Sequence, residues 1–361
     1  MDAVVSSAAS IHARNIRAGS RTWSLGALFL AGCFGPAILY LGLAYYVNPV
    51  RDFAVAAGHP FPAVRSDYRN EKLTLLDAYL EAAPRQPVRG LVLGSSRSML
   101  LNAERLGRRT GLRFFNFGLA SAKGEDMLAA LRWSMGRKGQ VPKLVLIGLD
   151  VESLRDARSI GDSLHPLREL ATGEPSTLEY LEAIVPRMTA WSYARSVLLS
   201  IYFAVRPRQP VVGFAPDGTL QYRFLDGQRR AGTFALSADM PGCMALCRRK
   251  IEETDALSPA QVRYLKTTVQ EAQGAGAKVV VWLTGPHPQT AAFMAVGTGY
   301  SQLLSGARAV LGEVAALGAE THDLHDTRSL DPTGEGWYDC NHFDNTNATR
   351  VESVLTASWE Q

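Results

Sequence analysis

The chain predicts an α/β fold: a doubly wound, flavodoxin-like parallel sheet of five strands, with a large, mostly helical insertion and one N-terminal transmembrane helix. Three observations predict it. Short apolar runs of strand length alternate with amphipathic stretches of helix length in two blocks, about 85–155 and 258–358. Between them, over about 152–257, that rhythm stops. Near the N-terminus, Leu25 to Val47 is a run of 23 residues without a charged side chain.

The apolar run comes first. At about 1.5 Å per residue it spans the roughly 30 Å hydrocarbon layer of a bilayer. Arg14, Arg17 and Arg21 precede it, Trp23 sits at one edge and Tyr45-Tyr46 at the other. The positive-inside rule then makes residues 1–22 a cytoplasmic tail and 23–47 a single-pass anchor in the inner or cytoplasmic membrane, with the remainder periplasmic or extracellular. Leu30-Ala31-Gly32-Cys33 has the form of a lipoprotein processing box, but the segment stays apolar for another fourteen residues. A retained anchor fits this length better than lipidation at Cys33 or cleavage of a signal peptide.

Residues 48–87, with Pro49, Pro60, Pro62 and Pro84, read as a juxtamembrane connector holding one helical stretch at Glu71–Glu81. From 88 to 361 the α/β domain follows. Its first block reads as strand Val88–Leu93, helix Met99–Arg109, strand Phe114–Phe117, helix Glu125–Met135 and strand Lys143–Gly148. The last of these is apolar from Leu144 on and ends in glycine, as in a strand buried on both faces. The insertion reads as helical over Leu178–Val205 and turn-rich over Phe214–Phe224, where Asp217-Gly218 suits a hairpin. The second block reads as helix Pro259–Ala275, strand Lys278–Leu283, helix Ser301–Leu317, strand Glu320–Leu324 and a closing helix over 345–358.

Composition narrows the function classes. At 361 residues, 47% hydrophobic and 20% charged, the chain is neither disordered nor polytopic. A net charge of +4 in short clusters, such as Arg229-Arg230 and Arg248-Arg249-Lys250, argues against a nucleic-acid partner. Four cysteines are few. In an oxidising compartment Cys243 and Cys247 close a short loop if that segment is not helical, and stand too far apart if it is. No cysteine spacing indicates a metal site.

Chemistry concentrates at two places. The first strand runs into Gly94-Ser95-Ser96-Arg97-Ser98, which presents a hydroxyl at a strand-to-helix turn where backbone N–H groups are unpaired. At the other end, Trp337-Tyr338-Asp339-Cys340-Asn341-His342-Phe343 supplies a carboxylate and an imidazole three residues apart on one loop. A serine nucleophile needs a base to take its proton and a carboxylate to orient that base.

Together these blocks, in this order, resemble the GDSL/SGNH hydrolase superfamily, nearest in style to membrane-anchored envelope-polysaccharide O-acetyltransferases and acylesterases. The resemblance covers about 85–155 and 258–358. It implies a Ser96, His342 and Asp339 triad, with Ser95, where standard members carry aspartate, in a structural role. It also implies that Asn116-Phe117-Gly118 supplies a glycine N–H which joins the Ser96 N–H in an oxyanion hole. In the third block, Gly148-Leu149-Asp150-Val151, the family's donating asparagine is replaced by Asp150. Asp150 is then protonated by burial, binds something else, or leaves the hole one donor short.

Candidate substrate contacts are Arg97, Asn116 and His287. Arg97 either binds an anionic group or caps the first helix, and Thr284-Gly285-Pro286-His287-Pro288 either makes a rigid turn or turns His287 toward substrate. Gly161-Asp162-Ser163 spells the family motif but follows no buried strand. His322 and His325, with Asp323 and Asp326, straddle a strand end, which scatters their side chains rather than gathering them on a metal. The expected activity is exported acyl hydrolysis or O-acyl transfer, of acetyl, on a cell-envelope or exported polysaccharide. It requires no cofactor and no metal, and it acts alone or with an envelope-biosynthesis partner. The alternative is a catalytically silent scaffold or glycan-binding subunit.

Overall fold

The computed structural model describes residues 27–50, 60–62, 64, 68–137, 139–155, 170, 177–206, 213–236, 240–252 and 256–359. The N-terminal tail and Gly161-Asp162-Ser163 lie outside these residues.

Helix α1 (Ala27–Val47), 21 residues long, is apolar and long enough to cross a membrane. Helix α2 (Arg69–Ala82) packs Leu73 and Leu76 into the main core. The connector is therefore part of the folded domain from residue 69 onward.

Five parallel strands form the sheet: β1 (Gly90–Gly94), β2 (Phe114–Asn116), β3 (Leu144–Leu149), β6 (Lys278–Thr284) and β7 (Glu320–Leu324). Their order is β2-β1-β3-β6-β7. Strand periodicity sorts the side chains into two cores. Leu91, Leu93, Val145, Ile147, Val279 and Val281 face one way. There they meet α4 (Gly124–Met135), α9 (Pro259–Gly274) and α11 (Tyr300–Ala316). Val92, Leu144, Leu146, Val280 and Trp282 face the other way, toward α3 (Ala103–Thr110) and α12 (Asn345–Thr356). The register Leu91↔Val145↔Val279 keeps this sorting continuous across the sheet.

The expected helix Met99–Arg109 is two elements, a 3₁₀ turn at Ser98–Leu100 and then α3. Asn102 separates them: its backbone is extended, and its side chain caps α3 by accepting from the Arg105 N–H at 2.7 Å. The insertion's helical stretch is likewise two helices, α5 (Thr177–Thr189) and α6 (Trp191–Val205), broken at an extended Ala190. The hairpin expected at Asp217-Gly218 joins β4 (Gly213–Phe214) to β5 (Leu220–Gln221), and Gly218 takes the positive φ of 81° that the turn needs. Helices α7 (Arg223–Arg230) and α8 (Met240–Glu252) complete the insertion, and a short α10 (Pro288–Ala295) follows β6.

Candidate active site

Strand β1 ends at Gly94 with φ 128°, a conformation open to glycine, and a Cβ there would overlap the Ser98 hydroxyl and the Gly148 carbonyl. The chain turns sharply and sets Ser96, half-buried, at the carboxyl edge of the sheet. The Ser96 N–H has no intramolecular partner among the described residues.

The loop before α12 closes on itself. Trp337 and Phe343 bridge its base, and the Asp339 carboxylate accepts from the backbone N–H groups of Asn341 (2.7 Å) and His342 (2.8 Å). The same carboxylate lies 2.8 Å from His342 Nδ1. An ionised carboxylate only accepts, so Nδ1 carries the proton and Nε2 is the free base. His342 Nε2 stands 2.8 Å from Ser96 Oγ, across 246 positions of sequence. Burial works against the Asp339 charge, but the bonds from His342 and the loop N–H groups outweigh it and hold the carboxyl below its ordinary pKa. Ser96, His342 and Asp339 thus form one hydrogen-bonded relay.

Arg97 is fully buried and points away from solvent. Its guanidinium donates to the Asn341 carbonyl (3.1 Å), to Asn341 Oδ1 and to Thr284 Oγ1 (3.1 Å), and lies 3.2 Å from Asp150. Burial opposes its charge, but Asp150 and then Glu152 more than offset this and raise its pKa. Arg97 is therefore a strut between the serine turn and the histidine loop, and the expected substrate contact is corrected. The Asp150 carboxylate accepts from Ser95 Oγ and Thr284 Oγ1 as well as pairing with Arg97. Every one of these contacts uses Asp150 as an acceptor, so its candidacy as an oxyanion donor is corrected too.

Asn116 is also internal: its amide donates to the Ser98 and Leu101 carbonyls, and its Oδ1 accepts from the Gly118 N–H at 2.9 Å. That corrects Asn116 as a substrate contact and leaves the Gly118 N–H already engaged. His287 caps α10: Nδ1 accepts from the Gln289 N–H (3.2 Å), which leaves Nε2 to donate to the Gly334 carbonyl (3.3 Å). Burial lowers its pKa. Its ring packs edge-on against Trp337 and lines a cavity of about 510 Å³ whose walls include Met240, Met244 and Pro332 but no member of the triad. The rigid-turn reading of His287 accounts for both ring nitrogens. His322 pairs with Glu320 and His325 with Tyr300, so the two imidazoles point to separate partners.

Other groups around the site carry no local sequence signal. Tyr222, at the start of α7, lies beside His342 with the rings tilted and their centres 6.4 Å apart, so the insertion forms one wall of the site. Lys72 of α2 is wholly buried and donates to the carbonyls of Asn116 (2.7 Å) and Gly218. Burial lowers its pKa to about 7 against the pull of Asp217 and Glu71. Cys340, inside the triad loop, is disulfide-bonded to Cys243 of α8. Cys243 and Cys247 share that helix and do not bridge. Cys247 keeps a thiol 3.7 Å from Cys340 Sγ. The three sulfurs lie within 4.8 Å of one another, but the Cys243–Cys340 bond makes them a disulfide with a neighbouring thiol rather than three free metal ligands.

Compared with known proteins, the chain matches no family model, no curated protein and no solved structure.

Proposed function

We propose that this chain is a membrane-anchored serine acyl hydrolase or O-acyltransferase of SGNH type, on a doubly wound, flavodoxin-like sheet. Its exported domain acts on acetyl groups of a cell-envelope or exported polysaccharide. The observation that carries the reading is the relay from Ser96 Oγ through His342 to Asp339, with 2.8 Å at each step. In this reading Ser96 Oγ attacks the ester carbonyl as His342 Nε2 takes its proton. The imidazolium, held by Asp339, returns that proton to the leaving oxygen, and water or a sugar hydroxyl resolves the acyl-serine. The Ser96 N–H faces the developing oxyanion.

The test is a fluorophosphonate probe on the full chain in detergent. Wild type is expected to label at Ser96, with labelling lost in Ser96→Ala and His342→Ala. A folded wild type that stays unlabelled overturns the assignment. Acetyl release compared with acetyl transfer to added oligosaccharide separates hydrolase from transferase.

One observation favours a second reading, a catalytically silent glycan-binding subunit. Asp150 replaces a donating amide, and the Gly118 N–H is tied to Asn116. Each absent oxyanion donor costs about 2.7–4 kcal/mol of transition-state stabilisation. The silent reading expects oligosaccharide binding that Ser96→Ala leaves intact, with no acyl-enzyme trapped on the wild type.

A further inference from the structure

Helix α6 (WSYARSVLLSIYFAV) is predominantly apolar, with three serines and one charged residue, Arg195. A helix this rich in large apolar side chains buries them against protein or lipid. Among the described residues one face of it is packed: Tyr193, Val197 and Ser200 are its buried residues. On the opposite face, Trp191 is 78% exposed, Leu198 62%, Tyr202 42% and Val205 77%. Their spacings of seven, four and three put them in one stripe.

What the buried face packs against identifies what covers the stripe. Tyr193 and Val197, with Ile184 and Met188 of α5, form a small core with Ala44 and Val47 of α1. Tyr40 donates from its hydroxyl to the Met188 carbonyl at 2.7 Å. Tyr40 lies seven residues before the end of α1, about 10 Å along the axis. The α5–α6 pair therefore grips the last turns of the apolar span, at the depth where a bilayer gives way to headgroups. The stripe carries Trp191 and Tyr202, the residue types that favour that level, and Arg195 and Arg206 beside it suit anionic headgroups.

We propose that α6 lies in the membrane interface of the leaflet from which α1 emerges, with the Trp191–Val205 stripe seated among headgroups and upper acyl carbons. This rests on α1 being membrane-spanning. The catalytic domain is then held at two points rather than tethered by one helix, which limits its reach to acyl carriers and acceptors presented close to the bilayer.

The test uses the full chain in phosphatidylcholine/phosphatidylglycerol vesicles, in a Cys33→Ala, Cys247→Ala background that keeps the Cys243–Cys340 disulfide. A bimane label is placed in turn at Leu198→Cys, at Ile38→Cys within the span and at Gln270→Cys on α9. Brominated lipids are expected to quench the labels at 38 and 198 and spare the one at 270. Shallow bromines are expected to act most at 198, and deep ones most at 38. Quenching at 38 without quenching at 198 overturns the interfacial helix and leaves the anchor standing. In that case a blue-shifted label at 198 means that a protein partner or second copy covers the stripe, and a water-like emission means an open face. No quenching at 38 overturns both readings.

Discussion

Arg97 shows how much of the candidate site depends on one buried side chain. Its guanidinium joins the serine turn, β6 through Thr284, the Asp150 carboxylate and the Asn341 backbone of the triad loop. Removing one partner of a buried charge pair costs about 3–5 kcal/mol because the other is left uncompensated. Arg97→Met is expected to lower stability by that order and, where the protein still folds, to lower kcat on an activated acetyl ester while KM stays near wild type. A KM effect alone would return Arg97 to substrate binding. Position 97 was recognisable from sequence as a neighbour of Ser96, but its direction was not: an arginine beside a site reads the same whether it faces solvent or core. Asp339 and His342 were legible because both act from one short loop, where spacing alone brings them together. Lys72 was hidden by the opposite circumstance, since a lysine on a helix reads as solvated. Buried at the junction of α2, β2 and the β4–β5 hairpin, it loses its charge near pH 7, against 10.5 for an unperturbed lysine. Between those values the unfolded chain binds the extra proton, so this group makes stability rise with pH across that window. Lys72→Met is expected to flatten that rise in a series of thermal melts from pH 7 to 10. It should also cost about 1–3 kcal/mol through carbonyls of Asn116 and Gly218 left without a donor.

Among the elements, the strands were legible and the contacts of the insertion were not. Each buried strand is a local apolar run, and Leu91, Val145 and Val279 align in register because each strand offers the same alternation to its neighbours. Helix α8 instead reaches the triad loop through a disulfide between residues 97 positions apart, and no local period records that pairing. Helicity of the Cys243–Cys247 segment, which excludes the short bridge, is what frees Cys243 for Cys340. Closing a loop of this length stabilises by about 4–5 kcal/mol in the chain-entropy picture. Cys340→Ser is expected to lower the melting temperature accordingly and to reduce the rate on an activated ester, since the bond holds the residue next to Asp339. Cys243→Ser is expected to do less harm, because Cys247 stands 3.7 Å from Cys340 Sγ and takes over the bridge. Non-reducing peptide mapping of the Cys243→Ser protein checks this: a Cys247–Cys340 peptide is the expected product, and a free Cys340 contradicts it.

At the scale of the whole molecule, the cores around the sheet and the core on the insertion differ in their dependence on α1. The two cores that flank the sheet begin at Tyr68 and Leu73 and include no residue of α1. The third joins Ala44 and Val47 of α1 to Ile184, Met188, Tyr193 and Val197 of the insertion. A chain beginning at residue 60 therefore keeps every strand and the Ser96–His342–Asp339 relay, yet uncovers the face on which α1 lay, in addition to the stripe already open on α6. Contiguous exposed apolar surface of this kind drives association in water. The truncated protein is expected to show native circular dichroism and to retain fluorophosphonate labelling, but to sediment as large species until detergent is added. Replacing Ile184 and Met188 together by serine is expected to shift the truncated protein toward smaller species without detergent, since it makes part of the uncovered face polar while the α6 stripe stays open. A truncated chain that is monomeric without detergent and without those substitutions would mean that α5 and α6 close over each other when α1 is gone. The insertion would then be a self-contained cap on the site rather than a collar built around α1.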